Sequence, residues 1–398
     1  MIRKKMKKGK IAILTVCVIL AALFASVFLI SGIFEKQSYL EPWDRRYYQE
    51  FGDPRIQLAA HGLLAANNHN MQPWKIRLDA ADDTVFYLYA DSARLTKEVD
   101  PQARQMMITQ GAFLEYVAEA GKQLGYNVHL SLFPNGDYDE NNIVQSMDAL
   151  PVAKVTIEKT QPADSPLYAY MFMPDTNRGP YQAGPLLAGE ISALQSTATE
   201  QDVVTLQIFD QKKDMEELGG LAMQAAAIEA GVDRVMQEAN EIFRSNEYQK
   251  NQYRYGFSVE GQGTTGIMVH VMQGLVTVFP SLNSGKGASD MFLQSTQKSV
   301  DNTPAYAMIK TDGNSRKSHV LSGMAYSRLV LAGHAAGIVM QPLSQALEEY
   351  PEMQGPYTRI HSEYAQNGET IQMLFRLGKP AQDVSQSMRR DVRDLIVQ

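Results

Sequence analysis

The chain has 398 residues, 44% apolar and 20% charged, a balance that supplies a sizeable core and excludes a disordered polymer. Its net charge of −7 is uneven: Arg3, Lys4, Lys5, Lys7, Lys8 and Lys10 precede every acid, leaving −13 (−7 − 6) on the remainder. A body that acidic excludes nucleic acid as a partner, because such binding depends on neutralising phosphate charge. Cys17 is the single cysteine, so the rest of the chain has no disulfide, no Cys-ligated zinc and no thiol nucleophile.

Residues 1–10 form a basic segment, and from Ile11 to Phe34 no residue is charged. As a helix, 11–34 extends roughly 36 Å, enough to cross a hydrocarbon core of about 30 Å. The cationic flank lies on the N-terminal side only, which predicts that everything after Glu35 is extracytoplasmic. The apolar run exceeds the 7–15 residues, roughly, of a signal-peptide core and shows no small-x-small cleavage site. The expectation is therefore an uncleaved single-pass membrane anchor, followed by a linker over 35–52.

A helix is predicted from Asp53-Pro54, with Asp as the cap and Pro in the first turn, carrying Ile56, Ala59, Ala60, Leu63 and Leu64 on its apolar face. It ends in Asn67-Asn68. Val85–Tyr89 is rich in strand formers, and Gln105–Gly121 has apolar residues at helical spacing. The second half repeats this plan. Residues 104–126 and 317–339 each contain an apolar helix with an internal Gly, 111 and 323, and each exits at a Gly 14 residues later (125 − 111 and 337 − 323). A helix from about Leu186 and a strand over Val203–Phe209 echo the first helix and strand. The expectation is a duplication with a period near 212 residues (323 − 111), its halves at about 53–170 and 171–398. A helical stretch over 213–244 is followed by a polar, Gly-rich insertion at about 245–303, expected to be a lid with a mobile centre at Ser284–Ser289.

The densest polar cluster is Asn67-Asn-His-Asn-Met-Gln-Pro-Trp74. Side-chain amides both donate and accept, which suits them to the edge of a heteroaromatic ring or to sugar hydroxyls. The same residue types also cap helices and build turns. No HExxH, P-loop, G-x-S-x-G elbow or GxGxxG fingerprint is present, so no metal site is expected and hydrolase and Rossmann readings have no support.

His69-Asn70-Met71-Gln72-Pro73-Trp74, after an Ala-rich helix, resembles the Asn-x-Gln-Pro-Trp signature of the flavin-dependent nitroreductase superfamily. Tyr89–Arg94, Asp100–Arg104 with the Gly111 helix, Thr176–Tyr181 and Gly337–Ser344 look like its Acg-type branch, and Leu377–Pro380 with Arg389-Arg390 is similar to its closing element. The resemblance covers about residues 53–393. It implies an α+β nitroreductase-like fold, duplicated into a monomeric pseudo-dimer with one FMN between the halves. By resemblance, Asn70 and Gln72 meet the ribityl chain or ring, Arg178 and Arg389 or Arg390 hold the phosphate, and Gln341 lies where backbone approaches flavin N5. Guanidinium groups suit a phosphate dianion. No catalytic side chain is assigned. Three departures stand out: only Asp53-Pro-Arg55 represents the phosphate element in the first half, only Arg178 of that element remains in the second, and no twin-arginine signal precedes the anchor.

The activity so implied is FMN-dependent transfer of two electrons to a small-molecule electron acceptor such as a quinone or nitroaromatic. An external enzyme lacks cytoplasmic nicotinamides, so a membrane quinol or a protein is a candidate electron donor. The alternative is a membrane-tethered FMN-binding or sequestering protein with little turnover.

Overall fold

The computed structural model describes residues 2–198, 203–366 and 368–397. The first half contains α1 (Ile2–Ser31), α2 (Pro54–Gly62), β1 (Trp74–Leu78), β2 (Val85–Ala90), α3 (Arg104–Leu124), β3 (Tyr126–Leu132), α4 (Ile143–Ala149) and β4 (Ala153–Lys159). The second half opens with α5 (Ala188–Ala198) and β5 (Val204–Phe209). An insertion follows: α6 (Lys212–Ala230), α7 (Asp233–Glu241), β6 (Phe243–Arg244), α8 (Glu247–Tyr253), β7 (Phe257–Ser258), α9 (Ile267–Val278) and α10 (Gly285–Asp301). The chain then completes the half with β8 (Ala305–Asp312), α11 (Arg316–Ala335), β9 (Val339–Pro342), α12 (Gln354–Tyr364), β10 (Glu369–Gly378) and a short β11 (Ile396–Val397).

The duplication is visible in the sheets. The first half lays its strands in the order β1-β2-β4-β3 and the second in the order β5-β8-β10-β9, antiparallel at every junction. Both therefore use the order first, second, fourth, third, and each places a helix, α3 or α11, between its second and third strands. The two helices cross at the centre of the molecule. A Cβ on Gly111 would overlap the carbonyl of Val320, and one on Gly323 would overlap the carbonyl of Ile108. Both the glycines and their partners are 212 residues apart (323 − 111 and 320 − 108). Only a residue without a Cβ allows so close a backbone approach.

Local chemistry explains the boundaries. The Asp53 carboxylate accepts the Arg55 N–H and Pro54 occupies the first turn of α2. Gly125 ends α3 in the left-handed region at φ 79°. The extreme C-terminus crosses over: β11 joins the first half's sheet beside β1, with Ile396 opposite Ile76.

Three expectations change. The N-terminal helix stops at Ser31, because Gly32 turns at φ +76°, so the helical part of the uncharged run ends there rather than at Phe34. The 213–244 stretch is two helices, α6 and α7, parted at Gly231-Val232. The insertion is folded, with Ser284–Ser289 supplying the boundary and first turn of α10 rather than a mobile centre. Glycines read as loop in the sequence, yet at a helix start they cost little, since first-turn N–H groups have no intrahelical partner anyway.

Candidate functional site

A cavity of about 500 Å³ lies at the seam between the halves, within the range of about 300–1,000 Å³ usual for small-molecule sites. Its floor is the first two turns of α3, with Arg104, Ile108 and Ala112. The first half adds the turn Ala66–His69. The second half adds Arg178, Tyr326 of α11, the end of β9 with Gln341 and Pro342, and Gln372 and Met373 of β10. Gln372 sits in a register shift of β10, the kind of bulge that re-aims a side chain at a site. The insertion forms the roof through residues such as Phe243, Phe257 and Phe292.

The Asn-rich turn is held in an unusual backbone. His69, Asn70 and Gln72 all take the left-handed region, at φ 50°, 52° and 50°. The amide of Asn67 accepts the Gln72 N–H at 2.8 Å, and the Asn68 N–H donates to Thr109 Oγ1 at 3.1 Å, tying the turn to α3. Such conformations persist only where surrounding contacts enforce them. His69 lies 5.1 Å from the Phe257 ring, and its buried Nδ1 has no partner among the described residues. Burial, aided by the Arg178 charge, pushes its pKa down to about 4, so the imidazole is neutral at pH 7.

Arg178 is presented by a braced segment. Asn177 donates its N–H to the Met340 carbonyl, and its side chain accepts the Gly179 N–H. Tyr181 donates to the Asn177 carbonyl and lies against Arg376, which in turn donates to the Gly179 carbonyl. The Arg178 side chain is enclosed by protein, and its accessible part faces the cavity. Among the described residues no hydrogen bond or ion pair reaches its guanidinium. Burial lowers its pKa, and the negative charge of Asp175 works against that shift.

The cavity lining also carries carboxylates. Glu229 of α6 and Glu348 are both buried and each keeps one carboxylate oxygen without a hydrogen-bond partner among the described residues. Burial pushes Glu229 up to about 8, and burial together with Glu229 pushes Glu348 well above the usual carboxylate range. Other buried polar atoms on lining residues without a hydrogen-bond partner among the described residues are Tyr326 Oη, Gln345 Oε1 and Gln372 Oε1, while Arg104 Nε has only Glu349 at 3.6 Å. Buried polar groups are normally paired, so their concentration around one cavity indicates a polar occupant.

The six residues singled out in the sequence divide. Arg178 and Gln341 line the cavity; the Gln341 side chain accepts from Arg376 at 2.7 Å. Asn70, Gln72, Arg389 and Arg390 are not among the lining residues and bond to one another instead. Asn70 donates to the carbonyls of Gly256 and Met388 and accepts from Arg389. Gln72 donates to the Arg254 and Met388 carbonyls and accepts the Arg390 N–H. Arg389 reaches the Leu64 and Ala65 carbonyls and approaches Asp175 at 3.4 Å; Arg390 holds the Gln72 and Asp394 carbonyls. These four side chains fasten the C-terminal strap to the turn, and their terminal amide and guanidinium groups are engaged there; Arg389 Nε alone among their buried atoms has no hydrogen-bond partner among the described residues. Arg55, the first half's remnant of a phosphate element, is likewise engaged, by Asp53 and three carbonyls.

Sequence reasoning assigned no role to Arg104, Tyr326, Glu229 or Glu348. The first two lie in motifs already noted, Asp100–Arg104 and the repeated helix. The glutamates carry no local signal, because their pairing depends on how the insertion folds back.

No family model matches the chain. Two curated proteins of Mycobacterium tuberculosis, from strains CDC 1551 / Oshkosh and H37Rv, are each provisionally named an NAD(P)H nitroreductase. Each is 22% identical to it over 318 residues, 79% of this chain and 82% of theirs. Among solved structures, a nitroreductase-like family protein of Bacillus cereus aligns with 60% of this chain and 98% of its own, at 10% identity and TM-score 0.33. The FMN-dependent nitroreductase NfnB of Mycobacterium smegmatis, in complex with NADPH, aligns with 52% of this chain and 84% of its own, at 15% identity and TM-score 0.33. The superfamily resemblance read from the motifs is supported by the two mycobacterial relatives. The fused Acg-type branch is not distinguished by them.

Proposed function

We propose that this protein is an FMN-dependent oxidoreductase that transfers two electrons to a small electrophile such as a quinone or nitroaromatic. The carrying observation is the cavity at the seam, where the Asn-rich turn of one half and the unpaired Arg178 of the other meet around a space of ring size. The relatives named as nitroreductases support the same reading.

Arg178 fits the phosphate: a guanidinium that faces the cavity with no hydrogen bond or ion pair among the described residues suits an anion, and charge-assisted bonds to phosphate are among the stronger ones. Asn67, Asn68 and the partnerless Tyr326 hydroxyl suit the polar edge and side chain of the flavin, and the Gln341-Pro342 strand end supplies a flat wall. Bound there, FMN supplies reversible two-electron chemistry. The chain's own part is to exclude water with the insertion's aromatic roof, to keep His69 neutral beside Arg178, and to hold a proton on the Glu229–Glu348 pair near the acceptor. Asn70, Gln72, Arg389 and Arg390 act by positioning the turn.

One chain contributes both halves of the cavity, which supports a monomeric pseudo-dimer. The Ile13–Ser31 helix, with mean hydropathy 3.0, is long and apolar enough to span a membrane. Its end packs into the body, with Ser31 and Gly32 buried, which supports an anchor retained in the mature protein. The basic N-terminus supports a body outside the cytoplasm, and on that reading a quinol or a protein is the donor.

Purified full-length protein titrated with FMN is expected to bind one equivalent, quench its fluorescence, and reduce menadione or a nitroaromatic once reduced with dithionite. Absence of binding at micromolar FMN overturns the cofactor assignment. Binding without any turnover replaces the enzyme by the sequestering alternative.

A further inference from the structure

Helix α9 (Ile267–Val278) has no charged residue, and its most exposed side chains are apolar: Ile267 at 59%, Met268 at 51% and Val278 at 45%. The following turn adds Phe279 at 54% and Leu282 at 43%. A soluble surface seldom carries so dense an apolar patch without a partner. The partner is indicated by what α9 touches. Its Gly274 lies against the backbone of Val27 in α1, so closely that a Cβ would overlap the Val27 carbonyl. Ser31 Oγ and His270 Nδ1, 3.4 Å apart, join the two helices again.

Depth follows from length. The helix is uncharged from Ile11 to Ser31, 21 residues (31 − 11 + 1), or about 32 Å, against a hydrocarbon core of about 30 Å. The span has little length to spare, so Val27, four residues before its end, lies about 5 Å inside it, and α9, which touches Val27 through Gly274, lies near the same level. Amphipathic interfacial helices sink about 5–10 Å below the headgroups.

The junction is rigid. Beneath α9, Gln273 donates to Glu247, which also accepts from Tyr39 and Lys250. Gly32, at φ +76°, packs on the Glu247 side chain. The anchor is thus fastened to the body, which fixes which face meets the membrane. That face adjoins the cavity: Gln262 and Thr264, just before α9, and Asn283 and Met291, just after it, all line the cavity. Met291 is also 39% exposed, so part of the cavity rim, which includes the exposed Gln262 and Gln294, lies beside the apolar patch.

We propose that α9 and the Phe279–Leu282 turn lie within the bilayer that α1 crosses, so that the cavity opens to lipid and binds a membrane-dissolved quinone. The choice of quinone rests on the oxidoreductase reading above; the immersion of α9 does not.

Two measurements on the full-length chain in nanodiscs test the two parts separately. In a C17A background, a fluorophore at Phe279→Cys is expected to be quenched by nitroxides on lipid acyl chains and protected from aqueous iodide, while one at the exposed Asn135→Cys shows the reverse. Iodide quenching at 279 equal to that at 135 overturns the immersion. For the ligand, a long-tailed azidoquinone is expected to photolabel cavity residues, with labelling reduced at least about tenfold in Phe279→Glu/Leu282→Glu, whereas a tailless azidoquinone labels both proteins alike. Equal labelling of both proteins by the long-tailed probe overturns the lipid route. Labelling that persists in protein unable to bind FMN upholds the route and sinks only the cofactor assignment.

Discussion

Asn70 Oδ1 accepts a hydrogen bond from Arg389 Nη1 at 3.0 Å across 319 residues of chain. The same guanidinium donates to the carbonyls of Leu64 and Ala65 just beyond α2, and lies over the Trp43 ring at 4.7 Å. One fully buried arginine thus ties the C-terminal strap, the Asn-rich turn and the post-anchor segment together. Arg389→Ala is expected to destabilise the protein by about 3 kcal/mol, since it leaves several buried acceptors and Asp175 unpaired. Urea unfolding checks this. A variant of unchanged stability but lost FMN affinity would return Arg389 to the phosphate site.

Arg178 predicts the opposite pattern. Replacing a half-buried cation that has no hydrogen bond or ion pair among the described residues relieves part of its desolvation, so Arg178→Leu is expected to leave the FMN-free protein as stable as the parent or more so. The loss of a charge-assisted contact, worth about 1.5–3 kcal/mol, weakens FMN binding by about 10- to 100-fold. Fluorescence titration and thermal unfolding of the same sample read both effects, and retained affinity removes Arg178 from the phosphate site.

At the helix crossing, Gly111→Ala and Gly323→Ala each force a methyl group into a backbone carbonyl of the other half. Each is expected to cost about 3 kcal/mol, at the upper end of overpacking effects. Both changes separate the same two helices, so the double variant should cost less than the sum. Full additivity in denaturation midpoints would show that the two contacts are independent.

The buried carboxylate pair sets a pH dependence. An ordinary glutamate titrates at 4.5, and Glu229 at about 8 in the folded chain. Below pH 4.5 it is protonated in both states, and its contribution to stability is fully present. Between pH 4.5 and about 8 folding takes up a proton, so stability falls as pH rises, by up to about 1.4 kcal/mol per pH unit. Glu348, shifted in the same direction, adds to this slope. Comparing FMN-free protein with Glu229→Gln at pH 5 and pH 7.5 checks it: the slope should flatten in the variant, and equal slopes refute the assignment.

Much of the architecture was legible in local sequence. Apolar spacing marked α2, α3 and α11, strand formers marked β2, and the matched glycines gave the 212-residue period, because these features depend on residues a few positions apart. The N-terminal helix, long and apolar enough to span a membrane, was equally plain, since length and apolarity are read directly from the residues. The Asn-rich turn was recognised as a site element, but which of its amides faces the cavity was not. Asn67 and Asn68 face it, whereas Asn70 and Gln72 face the C-terminal strap.

The sequence by itself determined the helices with clear apolar spacing, the strand-rich run at β2, the repeat and the presence of arginines suited to an anion. Only the tertiary structure decided which arginine remains unpaired, because that depends on whether carbonyls from distant segments reach it. Arg389 finds the ends of α2 and loses its freedom; Arg178 stands in a braced loop with nothing but the cavity before it. The Glu229–Glu348 pair and the contact of α9 with α1 were decided in the same way, by an insertion folding back over the seam to bring together residues that share no local pattern.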